Sequence, residues 1–241
     1  MKLAAIYNVW DGVELLKGSM DCIKNDVDLF IIVYQTISNF GEEYNPFPEI
    51  NISEYPHVLI EYVPQQFGGQ FNETNKRNLG LKVAKEQNCT HFLFLDCDEY
   101  YSDFKTAKEL YLESNHMGSV CMMYTYFKTP TLRLTTADNY YVPFIHMLKT
   151  DTAAGECNYP YYVDRTRKVN ETNVCLLPIF MHHFSWVRID IERKIRNSSA
   201  KRNIFRSQLL IDYNNPELKP GYYLQDYKQS LIEVDNIFQI Q

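Results

Sequence analysis

Along the first hundred residues, continuously apolar runs alternate with stretches whose apolar positions recur every three or four. Residues 3–7 (LAAIY) form an apolar run that breaks at Asn8-Val9-Trp10-Asp11-Gly12. Behind the break, Val13, Leu16, Met20 and Ile23 keep an i, i+3, i+7, i+10 spacing, which predicts a helix. Asp11 is its expected cap, since a carboxylate there can accept from the free amides of a first turn. Residues 28–34 (DLFIIVY) read as a strand buried on both faces, as central parallel strands are. Residues 57–63 predict a further strand and 75–86 a helix carrying Leu79, Leu81, Val83 and Ala84. Residues 90–95 (THFLFL) predict a buried strand that stops at Asp96. Such alternation predicts an α/β fold with a Rossmann-like, doubly wound sheet. Ligands of these sheets bind outside the carboxyl ends of the strands. The segments 8–12, 35–40 and 96–101 therefore belong at one edge, where chemistry is expected.

The pattern loosens in the second half. Residues 107–113 continue a helix, 119–128 read as an aromatic-rich strand, and 132–148 suggest a hairpin. Residues 159–169 are expected to line a pocket, and 176–184 form an apolar run ending in His182-His183-Phe184. Residues 188–202 read as an amphipathic helix with Ile191 and Ile195 one turn apart. The tyrosine-rich tail from Pro216 shows no assignable element.

Composition changes this picture in a few places. A chain of 241 residues without linker, repeat or low-complexity stretch suits one continuous domain. Nineteen Tyr and fourteen Phe exceed what a core of this size needs, so part of them is expected along a groove. The net charge of −6 excludes a surface that attracts nucleic acid as a whole. Arg188, Arg193, Lys194, Arg196, Lys201, Arg202 and Arg206 run against that average, opposed only by Asp190 and Glu192. They suit either a polyanion such as a diphosphate or a solvated helix face. No run approaches the roughly 18 apolar residues of a membrane span, and the first apolar run is too short for a signal peptide. Six scattered cysteines without CxxC pairs read as reduced thiols, so a cytoplasmic protein is expected, in which the N-x-S/T matches at Asn51, Asn72, Asn88, Asn170 and Asn197 carry no glycan.

Asp96-Cys97-Asp98-Glu99 is the strongest chemical signal. Carboxylates at i and i+2, where a buried strand runs out, can point into one cleft, and like charges held that close call for a cation. Oxygen ligands beside a diphosphate favour Mn²⁺ or Mg²⁺. The run FLFLDCDEYY, about ninety residues after LAAIYN, resembles the aspartate motif of GT-A-fold glycosyltransferases. Asn75-Lys76-Arg77-Asn78-Leu79-Gly80 is similar to the segment upstream of that motif in family 2 members. The resemblance covers roughly residues 1–105 and continues beyond only through single points.

It implies a mixed sheet flanked by helices, with residues 1–105 binding a nucleoside-diphosphate sugar (a UDP- or GDP-sugar) and 106–241 the acceptor. It implies Asp98 as the main metal ligand, with Asp96 on the metal or the donor's ribose. The base pocket maps onto Tyr7, Asn8, Asp11, Gln35 and Ser38, and Arg77 reaches the donor across the cleft unless it and Lys76 are ordinary surface charges. A late histidine often completes the metal shell in this family. Adjacent strand residues face opposite ways, so one of His182 and His183 is expected there, His183 being preferred. Trp186 would cover the donor, and Arg188 or Lys194 would neutralise the leaving diphosphate.

The chain departs from family 2 in lacking a second acidic pair and a QxxRW motif in its second half. Asp138, Asp151 and Asp164 remain as candidate bases, with Asp164, among Tyr161, Tyr162 and Arg165, preferred, and the stereochemical outcome is open. The acceptor is a glycan, a protein or a small molecule. Alternatively it is a hydroxylated DNA base, as for some phage glycosyltransferases, which would use the basic run. A nucleotidyltransferase would want a Gly-rich basic loop after the first strand, and residues 8–12 hold one Gly and no Lys or Arg. A non-catalytic nucleotide-sugar-binding protein is the third reading.

Overall fold

The apolar runs become the middle of one sheet. In the computed structural model, β1 (Leu3–Val9) is buried along its whole length. It pairs in parallel with β2 (Leu29–Tyr34) on one edge and β4 (His91–Asp96) on the other, and β3 (His57–Glu61) follows β2. α1 (Val13–Ile23) links β1 to β2, and α2 (Gly69–Glu86) carries the chain from β3 back to β4. The residues described are 1–46, 52–65, 68–198 and 203–240, side chains excepted at 203–206. Asn51, Lys201 and Arg202, and the Arg206 side chain, lie outside them.

β1 is apolar on both faces because both are covered. Leu3, Ala5 and Tyr7 pack with α1 residues such as Leu16 and Met20, while Ala4 and Ile6 pack with Leu81 and Ala84 of α2. The second contact is close: a Cβ at Gly80 would land on Ile6 Cγ2. Strand order reverses at β1, since β2 follows on one side and β4 returns on the other. The crevice outside the carboxyl ends of β1 and β4 is therefore a topological switch point. Pairing register sets Asn8 opposite Asp96 there.

The second half extends the same sheet with antiparallel strands. β6 (Gly118–Phe127) and β8 (Val142–Met147) pair antiparallel, and β8 pairs antiparallel with β4. β7 (Leu132–Leu134) pairs with β6 and with β11 (Gln229–Glu233), which is antiparallel to β10 (Tyr223–Leu224). Long β9 (Val174–Trp186) runs parallel to β6 and also holds β5 (Glu99–Tyr100). The result is a mixed α/β sheet with a parallel core flanked by helices, of the predicted class. No described helix is long and apolar enough to cross a membrane, and all six cysteines are free.

Several predicted elements are redrawn. The expected 132–148 hairpin is two separate strands that do not pair with each other: β8 bonds to β6 at its start, from Gly118 to Cys121, and β7 bonds to it near its end, at Tyr126. α2 starts at Gly69 rather than at 75, because its polar first turn is anchored through Asn72. That buried side chain accepts from Gln65 N at 2.9 Å and Tyr62 Oη at 3.0 Å and donates to Gln65 O at 2.7 Å. α3 (Phe104–Glu113) begins where Asp103 Oδ1 accepts from Thr106 N at 3.0 Å. Gly12, at φ 79°, caps α1 without a side-chain bond, and Asp11 instead accepts from Arg193 Nε at 3.0 Å. The predicted 188–202 helix is shortened to α4 (Ile191–Asn197) by Asp190, whose Oδ1 accepts from Arg193 N at 2.8 Å. α5 (Asn203–Asn214) follows. The tail, unassigned from sequence, supplies β10 and β11 and then lays Phe238 edge-on against Tyr100 and His182 at 5.1 and 5.0 Å.

Candidate functional site

A cleft of about 280 Å³ opens at the switch point. Its floor is the end of β4, where Asp96, Cys97, Asp98 and Glu99 turn out of the strand into β5. β5 decides what faces that floor. Glu99 pairs with His183 and Tyr100 with His182, and Phe184 N donates to Asp98 O at 2.8 Å. Strand alternation then sends the two histidines apart. His183 enters the cleft with Nε2 3.6 Å from Asp98 Oδ2. His182 faces the other side, where its Nδ1 meets Tyr126 Oη at 2.8 Å and burial lowers it to about 4.

Each carboxylate of the floor has a cationic partner. Asp98 is 1% exposed, and Arg188 Nη2 donates to its Oδ2, with Lys194 Nζ at 3.5 Å. Burial alone would raise this carboxyl; Arg188, Lys194 and His183 reverse that and hold it well below its usual range. Asp96 accepts from Arg167 Nη2 at 2.6 Å and Arg77 Nη2 at 3.4 Å, and these guanidiniums outweigh its desolvation and bring it down to about 2. Glu99 accepts from both terminal nitrogens of Arg167, the Nη1 bond being 2.9 Å, yet burial keeps its carboxyl raised. Lys76 and Glu73 of α2 line the same wall, and burial pushes the first down and the second up.

Eight buried side-chain polar atoms lack a partner among the described residues: Asn8 Oδ1, Trp10 Nε1, Asp11 Oδ2, Gln35 Oε1, and Nε and Nη1 of both Arg77 and Arg188. All six residues line this cleft. An unsatisfied buried polar atom costs about 1–3 kcal/mol, so their concentration at one place makes this cleft the candidate site for a polar ligand. Acceptors gather at the ends of β1 and β2, and the free guanidinium N–H groups come from α2 and from the loop after β9.

Most predicted site residues meet here. Asn8, Asp11, Gln35, Ser38, Arg77, Asp96, Asp98, Asp164, His183, Trp186, Arg188 and Lys194 all line the cleft. Ser38 spends its hydroxyl on its own loop, accepting from Phe40 N at 3.1 Å and Glu42 N at 3.0 Å. Tyr7 does not reach the cleft. It is fully buried beneath α1 with Oη 2.9 Å from Ser19 Oγ, because β1 alternation that turns Asn8 to the cleft turns Tyr7 away. Asp138 is also outside the lining, taking a 2.6 Å bond from Thr125 Oγ1. Asp164 caps the 3₁₀ turn at Arg165–Arg167, with Oδ1 accepting from Thr166 N at 2.8 Å and Thr166 Oγ1 at 2.6 Å. Lys76 and Arg77, at 4% and 2% exposure, are not surface charges. Sequence reading missed Arg167, Glu99 as a partner, Trp10 and Glu73. Glu99 carried a signal, standing in the acidic run itself; Arg167 stands in the 159–169 stretch expected to line a pocket, but its pairing could not be read, since its partners lie 68 and 71 positions away.

No family model and no curated protein matches the chain. Among solved structures it is similar to S. aureus TarS 1-349 in complex with UDP-GlcNAc, at 13% identity and a TM-score of 0.46, covering 88% of this chain and 71% of that one. The UDP complex of the same protein gives 11% identity and a TM-score of 0.43 over 88% and 70%. Mannose-1-phosphate geranyltransferase from Thermus thermophilus is similar over 62% of this chain and 51% of that one, at 14% identity and a TM-score of 0.34. These likenesses say nothing of this chain's own chemistry, which rests on its cleft.

For the expected Mn²⁺ or Mg²⁺, the donor set fits in part. Asp98 Oδ2 and His183 Nε2, 3.6 Å apart, lie within the span that one ion with legs of about 2.1 Å can bridge. Among the described residues no group of three or more His, Cys, Asp and Glu gathers around such a point. The protein thus offers a carboxylate–imidazole pair, and a bound ligand would have to supply the remaining donors.

Proposed function

We propose that this chain moves a sugar from a nucleoside-diphosphate sugar to an acceptor hydroxyl, with residues 1–105 holding most of the donor and 106–241 holding the acceptor and lending Arg188 and Lys194 to the donor's phosphates. The eight partnerless polar atoms carry this reading. A ligand that satisfies them needs a hydrogen-bonding ring system at the β1–β2 end and anionic oxygens at the guanidinium end. A nucleoside diphosphate has both. Asn8, Asp11, Gln35 and Trp10 take the base and ribose, while Arg77, Arg188 and Lys194 take the phosphates.

The chemistry follows from the same placement. The bond from the sugar's anomeric carbon to the diphosphate breaks, and Arg188, Lys194 and Arg77 stabilise the negative charge that develops on the leaving oxygen. The acceptor hydroxyl bonds to that carbon and gives its proton to Asp164, whose Oδ1 is committed to Thr166, leaving Oδ2 for the transfer. A divalent ion held by Asp98 and His183 would add positive charge at the diphosphate. The basic run offers little to a DNA acceptor in its described part. Arg188 and Lys194 pair with Asp98, Arg193 with Asp11 and Arg196 with Glu42. A glycan, protein or small-molecule hydroxyl suits the tyrosine-lined side, where Tyr140 and Tyr141 face the cleft.

Thermal stabilisation by UDP, GDP and their sugars, with and without Mn²⁺, tests the donor site. Stabilisation by one nucleotide series that disappears in Asp98→Ala is expected. No response to any nucleotide would remove the transferase reading. With acceptors, activity that falls steeply with salt would restore DNA, because phosphate contacts release counterions.

A further inference from the structure

The carboxylate oxygen that faces His183 is not open to a metal ion. Asp98 Oδ2 is held by Arg188 Nη2 and approached by Lys194 Nζ at 3.5 Å, and the same atom is the one 3.6 Å from His183 Nε2. A divalent ion that bridges this pair must enter beside two positive charges in a desolvated pocket, where like charges repel strongly. Arg188 has little room to fold back toward the β1–α1 loop. A Cβ at Gly12 would fall on its Nη1 and Cζ, so the guanidinium already fills the space over that glycine. Yet its Nε and Nη1 have no partner among the described residues, so it holds one carboxylate with two nitrogens to spare. Phosphate oxygens would satisfy those groups and draw Lys194 with them.

We infer that Arg188 and Lys194 make divalent-ion binding conditional on a diphosphate-bearing ligand. In the free protein they neutralise Asp98; when their charge passes to phosphate oxygens, the Asp98–His183 pair is uncovered. The two-donor set fits the same logic, because the missing ligands arrive with the phosphates. Linkage then requires the nucleotide's affinity to rise with Mn²⁺ by the factor that Mn²⁺ affinity rises with nucleotide. This inference rests on the nucleoside-diphosphate reading of the cleft, and its test separates from that reading.

Mn²⁺ binding is read directly by loss of the free-ion electron paramagnetic resonance signal, with a protein-free control for Mn²⁺ bound to nucleotide. The wild-type protein alone should bind Mn²⁺ at least about tenfold more weakly than it does with saturating UDP, or GDP if that is the nucleotide that stabilises it. Arg188→Gln alone should bind Mn²⁺ about fivefold more tightly than wild type, with coupling to UDP reduced to within about twofold. Lys194→Ala, at a position whose side chain is 25% exposed, should shift Mn²⁺ affinity the same way by less and guards against misfolding of the first variant. Equal wild-type affinity with and without bound nucleotide would overturn the inference, as would variants whose unliganded Mn²⁺ affinity stays unchanged or falls. If neither UDP nor GDP binds, the transferase reading fails. The Mn²⁺ affinities of the two unliganded variants still decide whether Arg188 and Lys194 guard Asp98.

Discussion

Arg167→Met removes the guanidinium that ties the second half of the chain to the floor of the cleft and keeps most of its apolar stem. Arg167 is 7% exposed and Glu99 is 2% exposed. Glu99's other side-chain bond is the 3.1 Å one it accepts from Asp96 N. Deleting one member of a buried ion pair leaves an uncompensated charge, which costs about 3–5 kcal/mol. Asp96 contributes little to that figure, because its side chain is 38% exposed and keeps Arg77. A loss of about 3 kcal/mol at pH 7.5 is therefore expected, measured by urea unfolding followed by far-ultraviolet circular dichroism. The pH dependence has a definite sign. Burial already lifts Glu99 above its ordinary 4.5, and loss of Arg167 lifts it further. A carboxyl whose folded pKa is raised costs stability when ionised, and that cost fades as falling pH protonates it. The gap between wild type and variant should thus narrow from pH 7.5 to 5.5. Adding Glu99→Gln to Arg167→Met should recover stability to within about 1 kcal/mol of wild type, since a neutral pair leaves no stranded charge. A single-variant loss below about 1 kcal/mol, or no recovery in the double variant, would refute the strut.

Other outcomes follow from the same coordinates. Gly80→Ala sets a methyl group against Ile6 across the α2–β1 contact and should cost about 1–3 kcal/mol by overpacking, seen as a lowered Tm without loss of nucleotide selectivity. His146 and His182 are both pressed by burial to about 4. Their folded pKa lies below the unfolded 6.5, so stability is full above about pH 6.5 and falls as pH drops toward 4, by up to about 1.4 kcal/mol per pH unit for each. His182→Phe, beside Tyr126 and Phe238, should flatten that slope by about one proton; an unchanged slope would count against its burial as the cause. Asp164→Asn keeps an oxygen for Thr166 N but removes the proton acceptor. It should lower kcat by about 10²–10⁴ while UDP binding stays within about twofold, whereas equal loss of both would make Asp164 a donor-binding residue.

What the sequence made legible, and what it hid, divides along a physical line. β1, β2 and β4 could be read because burial on both faces leaves a continuous apolar run, a property written in adjacent residues. The acidic run at the end of β4 could be read because its position follows from the strand before it. The choice between His182 and His183 came within reach through alternation alone, although the short β5 that brings His183 to Asp98 was not foreseen. Tyr7 was misplaced because the base pocket was mapped from the resemblance without that rule: alternation sends Asn8 to the cleft and Tyr7 beneath α1. The 132–148 hairpin failed because β7 and β8 each pair with a different stretch of β6 and not with each other, and no local pattern reports that choice. The hardest features are the paired charges. Nothing in the residues around Arg167 or Arg188 distinguishes a guanidinium folded onto the β4 end from one on a solvated face, and the run 188–206 looked like a patch because its counter-charges sit at Asp11, Glu42 and Asp98. The cleft draws most of its acids from the first half and much of its basic wall from the second. A chain read one segment at a time shows two charged regions. Folded, they neutralise each other, and the N–H groups left over on Arg188 and Arg77 are what an incoming diphosphate would claim.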